Sequence, residues 1–184
     1  MKKLLENKMI RLRATEPDDL EVLYVWENDT ELWKNGVSIA PFSRFTIRQY
    51  LLDSKQDIYT DKQLRLMVEL IESGEAIGTI DLYDFDPFHQ RAGVGILIDK
   101  RFRNQGYGLQ TLMLLDAYAF NFLHLHQLFA FIPANNIWSI QLFTKAGYIP
   151  SSSLKEWLFA GDNFEDVQVM QKIRPDRLTI RSID

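Results

Sequence analysis

The chain has 184 residues, 46% of them hydrophobic and 12% aromatic, with 21 basic against 25 acidic side chains and a net charge of −4. That length and composition suit one globular domain over 1–184 with a sizeable core, and exclude a disordered or low-complexity chain. The mild acidity argues weakly against nucleic acid as a partner, and the absence of cysteine excludes disulfides, thiolate zinc sites and a cysteine nucleophile.

The opening 13 residues lack an apolar run of signal-peptide length, and no stretch of about 18 apolar residues occurs anywhere. No membrane span and a cytoplasmic location are therefore expected. Alternating apolar and basic residues predict a first strand over 9–13. Thr15-Glu16-Pro17-Asp18 then reads as a helix start, with Thr15 as the cap, Pro17 in the first turn and Asp18 closing a capping box. This helix is expected to reach Asn28 and to turn Leu20, Leu23, Tyr24 and Val25 inward. Residues 29–42 look irregular, and Ser43 caps a second helix through Leu52.

Strands over 64–72 and 76–85 are joined by Ser73-Gly74-Glu75, a hairpin signal. The next strand, 91–99, contains Gly93 and Gly95, a pattern that marks a bulge or a close approach to the backbone. A long apolar-faced helix follows over 106–123, then a short buried strand over 127–133. Asn135 or Asn136 caps a last helix, which Gly147 terminates. A hairpin of 154–160 and 164–173 closes the chain. Strand 91–99, the long helix and strand 127–133 form a parallel crossover.

Arg103-Asn104-Gln105-Gly106-Tyr107-Gly108 stands where the long helix begins, although glycine is a poor helix former. A loop from strand to helix carries free N–H groups and the positive end of the helix dipole. Glycines let a bulky anion reach those groups, and Arg101 and Arg103 add charge beside them. A P-loop would need Gly-Lys-Ser/Thr, but Leu109 and Gln110 follow Gly108. A dinucleotide fingerprint would need a third glycine where Thr111 stands. On the loop alone, a plain connecting turn is as good a reading.

Arg103-x-x-Gly106-x-Gly108 resembles the Q/R-x-x-G-x-G/A loop of the GNAT acyl-CoA N-acyltransferases. Its neighbours agree in order: the strand around Gly93, the long helix, the strand 127–133, then Asn136-x-x-Ser139 and the residues around Lys145-Ala146-Gly147-Tyr148, similar to the family's N-x-x-S/A-I-x-x-Y-x-K-x-G-F ending. The resemblance spans roughly 9–173 and looks strongest to the branch of bacterial spermidine acetyltransferases and ribosomal-protein N-terminal acetyltransferases. It implies an α/β (α+β) fold: a mixed, mostly antiparallel sheet of about seven strands with a central splayed parallel pair, flanked by about four helices.

The resemblance also implies an acetyl-CoA-dependent N-acetyltransferase that acetylates a primary amine directly, often as a homodimer. Its pyrophosphate would rest on Arg103, Asn104, Gln105, Gly106, Tyr107 and Gly108. Pantetheine would pair with Ile96, Leu97 and Ile98, and Asn136 would contact the cofactor or simply cap its helix. Two customary positions are empty. The tyrosine that protonates the leaving thiolate aligns with Phe143, and a carboxylate of the preceding strand aligns with Gly93.

Candidate replacements for the base are Asp81, Asp84 and Asp86, although strand alternation sends Asp81 and Asp84 to opposite sides and each reads more readily as a solvated edge carboxylate. Ser139 is a weak donor candidate. The empty positions motivate an alternative, a catalytically degenerate module that binds acyl-CoA without turnover. The histidines have no metal-ligand spacing, so no metal is expected. The acceptor stays open between polyamine, small amine and protein N-terminus. Ile39-Ala40 stands where the polyamine branch carries glutamates, while the acidic residues at 27–31 and 81–86 keep a polyamine in view.

Overall fold

The computed structural model describes residues 4–33, 40–53 and 57–175. Strands β1 (Ile10–Ala14), β2 (Leu64–Leu70), β3 (Ala76–Asp86) and β4 (Arg91–Ile98) pair antiparallel in succession. β5 (Gln127–Pro133) lies parallel to β4, and β7 (Phe164–Ile173) and β6 (Ile149–Phe159) complete the sheet in the order β1-β2-β3-β4-β5-β7-β6. Among the described residues six α-helices accompany it: α1 (Leu20–Glu27), α2 (Thr30–Trp33), α3 (Arg44–Asp53), α4 (Ile58–Asp61), α5 (Tyr107–Asn121) and α6 (Ile137–Lys145). The expected four are α1, α3, α5 and α6; α2 and α4 are single turns that periodicity cannot reveal. None of the described helices is long and apolar enough to cross a membrane.

Strand alternation gives the sheet two apolar faces. Leu66, Val68, Ile80, Leu82, Val94, Leu128 and Ala130 look toward α5, where Leu112, Leu115 and Ala119 meet them. Met67 and Leu97 look the other way, toward Leu23 and Trp26 of α1 and Ile47 and Leu51 of α3. One buried polar clamp ties α5 to the last strands. The Tyr148 hydroxyl donates to Asp116 Oδ1 at 2.8 Å, and Lys172 Nζ donates to Asp116 Oδ2 at 2.6 Å and to the Ala146 carbonyl at 2.5 Å.

The feature that matters for function lies at the centre. β4 and β5 pair only at Arg91 with Gln127, Ala92 with Leu128 and Gly93 with Phe129. Beyond those residues β4 stays on β3 as far as Ile98, and β5 stays on β7 as far as Pro133. The two strands therefore part toward their C-terminal ends. Main-chain groups that a neighbouring strand would satisfy face an opening instead, and buried groups of that kind require a partner.

Local corrections have physical causes. The first strand begins at Ile10 rather than Met9, because the Asn7 side chain takes the N–H groups of both Met9 and Ile10 into a turn. The capping box lies one residue later than expected. Asp19, held by Arg13 through two hydrogen bonds of 2.8 Å, accepts the Glu16 N–H, so Glu16 and Asp19 take the roles assigned to Thr15 and Asp18. Val25 is 63% exposed, and Trp26, three residues after Leu23, occupies the inward row. Ser43 does cap α3, its hydroxyl accepting the Thr46 N–H. β6 starts at Ile149 rather than 154, because bulges between Pro150 and Ser152 and between Leu154 and Leu158 hide its alternation. Of the stretch read as irregular, 34–39 lies outside the described residues, and the rest contains α2.

Candidate active site

The end of β4 feeds the glycine loop. Asp99 organises this junction. Its Oδ1 accepts the Arg101 N–H at 3.0 Å, its Oδ2 accepts the Trp26 indole N–H at 3.0 Å, and both oxygens receive the Arg101 guanidinium. The Arg101 hydrogen bond, with help from that main-chain N–H and the indole, lowers the Asp99 pKa to about 2 against the opposing effect of burial. Arg101 is thereby spent on Asp99 and Glu75. Arg103 is different. Its Nε donates to the Ile98 carbonyl at 2.9 Å, and it has no carboxylate partner among the described residues.

Asn104 (φ 61°) and Gly106 (φ 85°) take left-handed conformations that swing the chain into α5. α5 then starts at Tyr107 with no side-chain cap, so its first N–H groups remain available to an anion. Nothing lies within 4 Å of the place where a Gly106 Cβ would stand. Gly108 has another reason to be glycine: a Cβ there would come within 3.2 Å of Leu142, where α5 passes close to α6. Gln105 donates to the Arg101 carbonyl, and Tyr107 rests against Phe102. Ile96, Leu97 and Ile98 lie on the part of β4 that has left β5. Asn136 Oδ1 caps α6 by accepting the Ser139 N–H at 3.1 Å.

The α1/α3 face of the sheet carries the charged groups. Arg65 of β2 reaches between two carboxylates, with Nε 2.7 Å from Asp81 Oδ1 and Nη1 2.5 Å from Glu27 Oε1. Asp81 keeps 25% of its side chain exposed. Its Oδ2, which accepts nothing from the described residues, stands 3.9 Å from where a Cβ of Gly95 would be, on the unpaired part of β4. Desolvation raises the Asp81 pKa above its ordinary 3.8, with Arg65 pulling the other way.

Asp84 did not follow strand alternation. A bulge between Tyr83 and Asp86, with Asp84 at φ 49°, brings it to an open groove of about 920 Å³ that Phe88, Phe129, Phe131 and Val169 also line. Phe129 and Phe131 alternate with the core residues Leu128 and Ala130, so the groove opens on the same face as Asp81. Asp86 pairs with Arg91 at 3.4 Å.

Other candidates make contacts of their own. Phe143 is 2% exposed, packed edge-on against Tyr148 at 4.9 Å. Tyr148 is 1% exposed, its hydroxyl committed to Asp116, and burial raises its pKa well above normal. Ser139 contributes its main chain to the α6 cap. Asp29 and Glu31 both pair with Lys100, at 3.0 and 2.7 Å. Sequence reasoning missed Arg65, whose signal was a lone basic residue in an otherwise apolar strand opening. It also gave no role to Tyr83, which crosses over Gly93.

Comparison with known proteins agrees with this geometry. Residues 10–149 match the acetyltransferase (GNAT) domain. The chain is 23% identical over 164 residues to spermidine N(1)-acetyltransferase of Vibrio cholerae, covering 89% of this chain and 92% of that protein. It is also 23% identical over 178 residues to the probable N-acetyltransferase YjcK of Bacillus subtilis, covering 94% and 98%. The crystal structure of the Vibrio cholerae enzyme in complex with CoA and spermine superposes with a TM-score of 0.82 at 21% identity, covering 91% of this chain and 96% of that one. Neither the relatives nor the fold favours the degenerate alternative. With its opened parallel pair, its uncapped glycine loop and a family match over most of its length, the chain belongs to the GNAT acetyltransferases and is an acetyl-CoA-dependent N-acetyltransferase acting on an amine.

Proposed function

We propose that acetyl-CoA enters the opening between β4 and β5 from the α5 side, with the amine arriving from the α1/α3 side. The pyrophosphate would take the main-chain N–H groups of Arg103, Asn104, Gln105, Gly106, Tyr107 and Gly108, with the Arg103 side chain beside it. Pantetheine would add to the unpaired edge at Ile96, Leu97 and Ile98, and the free Asn136 amide would reach the cofactor. The observation that carries this reading is the loss of β4–β5 pairing after Gly93, immediately before Gly95 and its facing carboxylate.

Asp81 is the general base in this reading. An alkyl ammonium of pKa about 10.4 is almost wholly protonated at neutral pH, so the attack needs a proton acceptor nearby. Asp81 Oδ2 accepts nothing from the described residues, faces the glycine of the opening, and belongs to a carboxylate made more basic by burial. Asp84 would hold the incoming ammonium at the groove, a role its exposure suits better than proton abstraction. The chemistry needs no acyl-enzyme: nitrogen adds to the thioester carbon, and the tetrahedral intermediate expels the thiolate.

The acceptor is best read as an amine with a single positive charge and an apolar body. Glu27, Asp29 and Glu31, among the carboxylates that kept a polyamine in view, are each engaged in an ion pair with Arg65 or Lys100. The groove beside Asp84 is walled by Phe88, Phe129 and Phe131. A polyamine is the second reading, supported by the relatives named as spermidine acetyltransferases. Thiol release measured with spermidine, arylalkyl monoamines and peptides with a free N-terminus separates them. The first reading expects the highest kcat/KM on a singly charged, apolar acceptor; a preference for spermidine would overturn it in favour of the second.

A further inference from the structure

Tyr83 stands at the closed end of the opening. From β3 its ring crosses β4 directly over Gly93, so closely that a Cβ at that position would collide with it. It meets the Phe129 ring edge-on at 5.9 Å, and the main chain of Phe131 on β5 lies close enough to influence its hydroxyl. Gly93 and Phe129 are the last residues that pair β4 with β5, and Phe131 lies two residues beyond them. The hydroxyl therefore sits at the point where the strands separate, on the face that carries Asp81 two residues earlier. The Phe131 main chain is near enough to favour the ionised phenol, and the hydroxyl proton has no acceptor among the described residues.

We propose that the Tyr83 hydroxyl donates a hydrogen bond to the thioester oxygen of bound acetyl-CoA and strengthens it as that oxygen becomes the tetrahedral oxyanion. The proposal rests on the assignment of the opening as the acetyl-CoA site. It also gives Gly93 a reason: a carboxylate-bearing residue there would displace the phenol, so the chain carries the phenol instead of the acid.

Burial, aided by the nearby Asp84 charge and opposed by the Phe131 N–H, raises the Tyr83 pKa to about 12. A phenol held there stays neutral at any working pH and cannot be the base. Nor would it protonate the departing thiolate. The corresponding thiol has a pKa of about 8.5, so that transfer runs uphill by roughly three orders of magnitude. Hydrogen bonding to an alkoxide-like oxygen requires no transfer and acts where the charge develops. The step balances with Tyr83 keeping its proton throughout. The amine nitrogen bonds to the acyl carbon while the C=O π pair moves to oxygen. Asp81 takes the ammonium proton before attack and passes it to solvent, then takes the second proton from the bonded nitrogen; the pair returns, and the C–S bond breaks to release coenzyme A thiolate.

Tyr83→Phe preserves the ring over Gly93 and removes only the donor. It should lower kcat about 100-fold, the usual loss for one oxyanion donor, with KM for both substrates and calorimetric affinity for acetyl-CoA within a few-fold of wild type. Gly93→Ala, which pushes the intact phenol aside, should reproduce the loss. Independently of turnover, the infrared carbonyl band of bound 1-13C-acetyl-CoA should move to higher frequency in Tyr83→Phe. An unchanged band, or kcat within about threefold of wild type, would overturn the role of Tyr83 alone. Absence of acetyl-CoA binding by the wild-type protein would remove the site assignment together with it.

Discussion

Arg65 holds two carboxylates while carrying one charge, so its cluster with Asp81 and Glu27 keeps a net negative charge on the face where the amine would arrive. Asp81→Asn retains an oxygen to accept the Arg65 Nε–H and loses the proposed base, so kcat should fall about 100-fold or more while acetyl-CoA still binds. The pH dependence follows from the direction of the shift. The Asp81 pKa is raised by desolvation and lowered by Arg65, so kcat/KM should be lost as pH falls through a value above 3.8. Arg65→Met removes the cation that favours the ionised form, and the acid limb of the profile should move to higher pH. A limb that stays in place in this variant would show that another group titrates. At this scale the sequence revealed Asp81 and Asp84 as carboxylates near the site but not their settings. Alternation separated them, and a bulge with a left-handed Asp84, invisible to a period-two rule, brought both to one face.

Among the elements, the turn from β4 into α5 carries most of the cofactor's proposed contacts, and Asp99 is its fastener. Its pKa, lowered to about 2, means that the folded state prefers the carboxylate. The stability it contributes is present above the unfolded value near 3.8 and is lost as pH falls toward 2. With Arg101 62% exposed, solvent screening reduces this to about 1 kcal/mol. Asp99→Asn should lower the melting temperature by a few degrees at pH 7 and by much less near pH 2.5, a comparison that thermal melts at the two pH values can make. A variant equally destabilised at both would point to packing against Trp26 instead. This element was the most legible of all. Its two glycines, one residue apart at a helix start, announced an uncapped turn. What the spacing could not say was that they serve different ends, Gly106 a left-handed backbone and Gly108 the close passage of α6.

At the scale of the whole molecule, the proposed site is the place where the sheet fails to close at its centre. Seven strands and two apolar faces could be anticipated from alternation and hairpin signals, and the order of elements indicated the parallel crossover. Where the parallel pair stops could not be read, because Ile96 and Ile98 are as apolar as any buried strand whether or not a neighbour pairs with them. Pairing ends at Gly93 and Phe129, and in the proposed reading the thioester would lie just beyond that end point. The most direct measurement is a calorimetric titration of the wild-type protein and of Gly106→Val with acetyl-CoA. The account predicts one site per chain in the wild type and an affinity at least about tenfold weaker in the variant, because a β-branched residue at φ 85° distorts the turn that presents the amides. No heat in the wild type, or equal affinity in both, would contradict it.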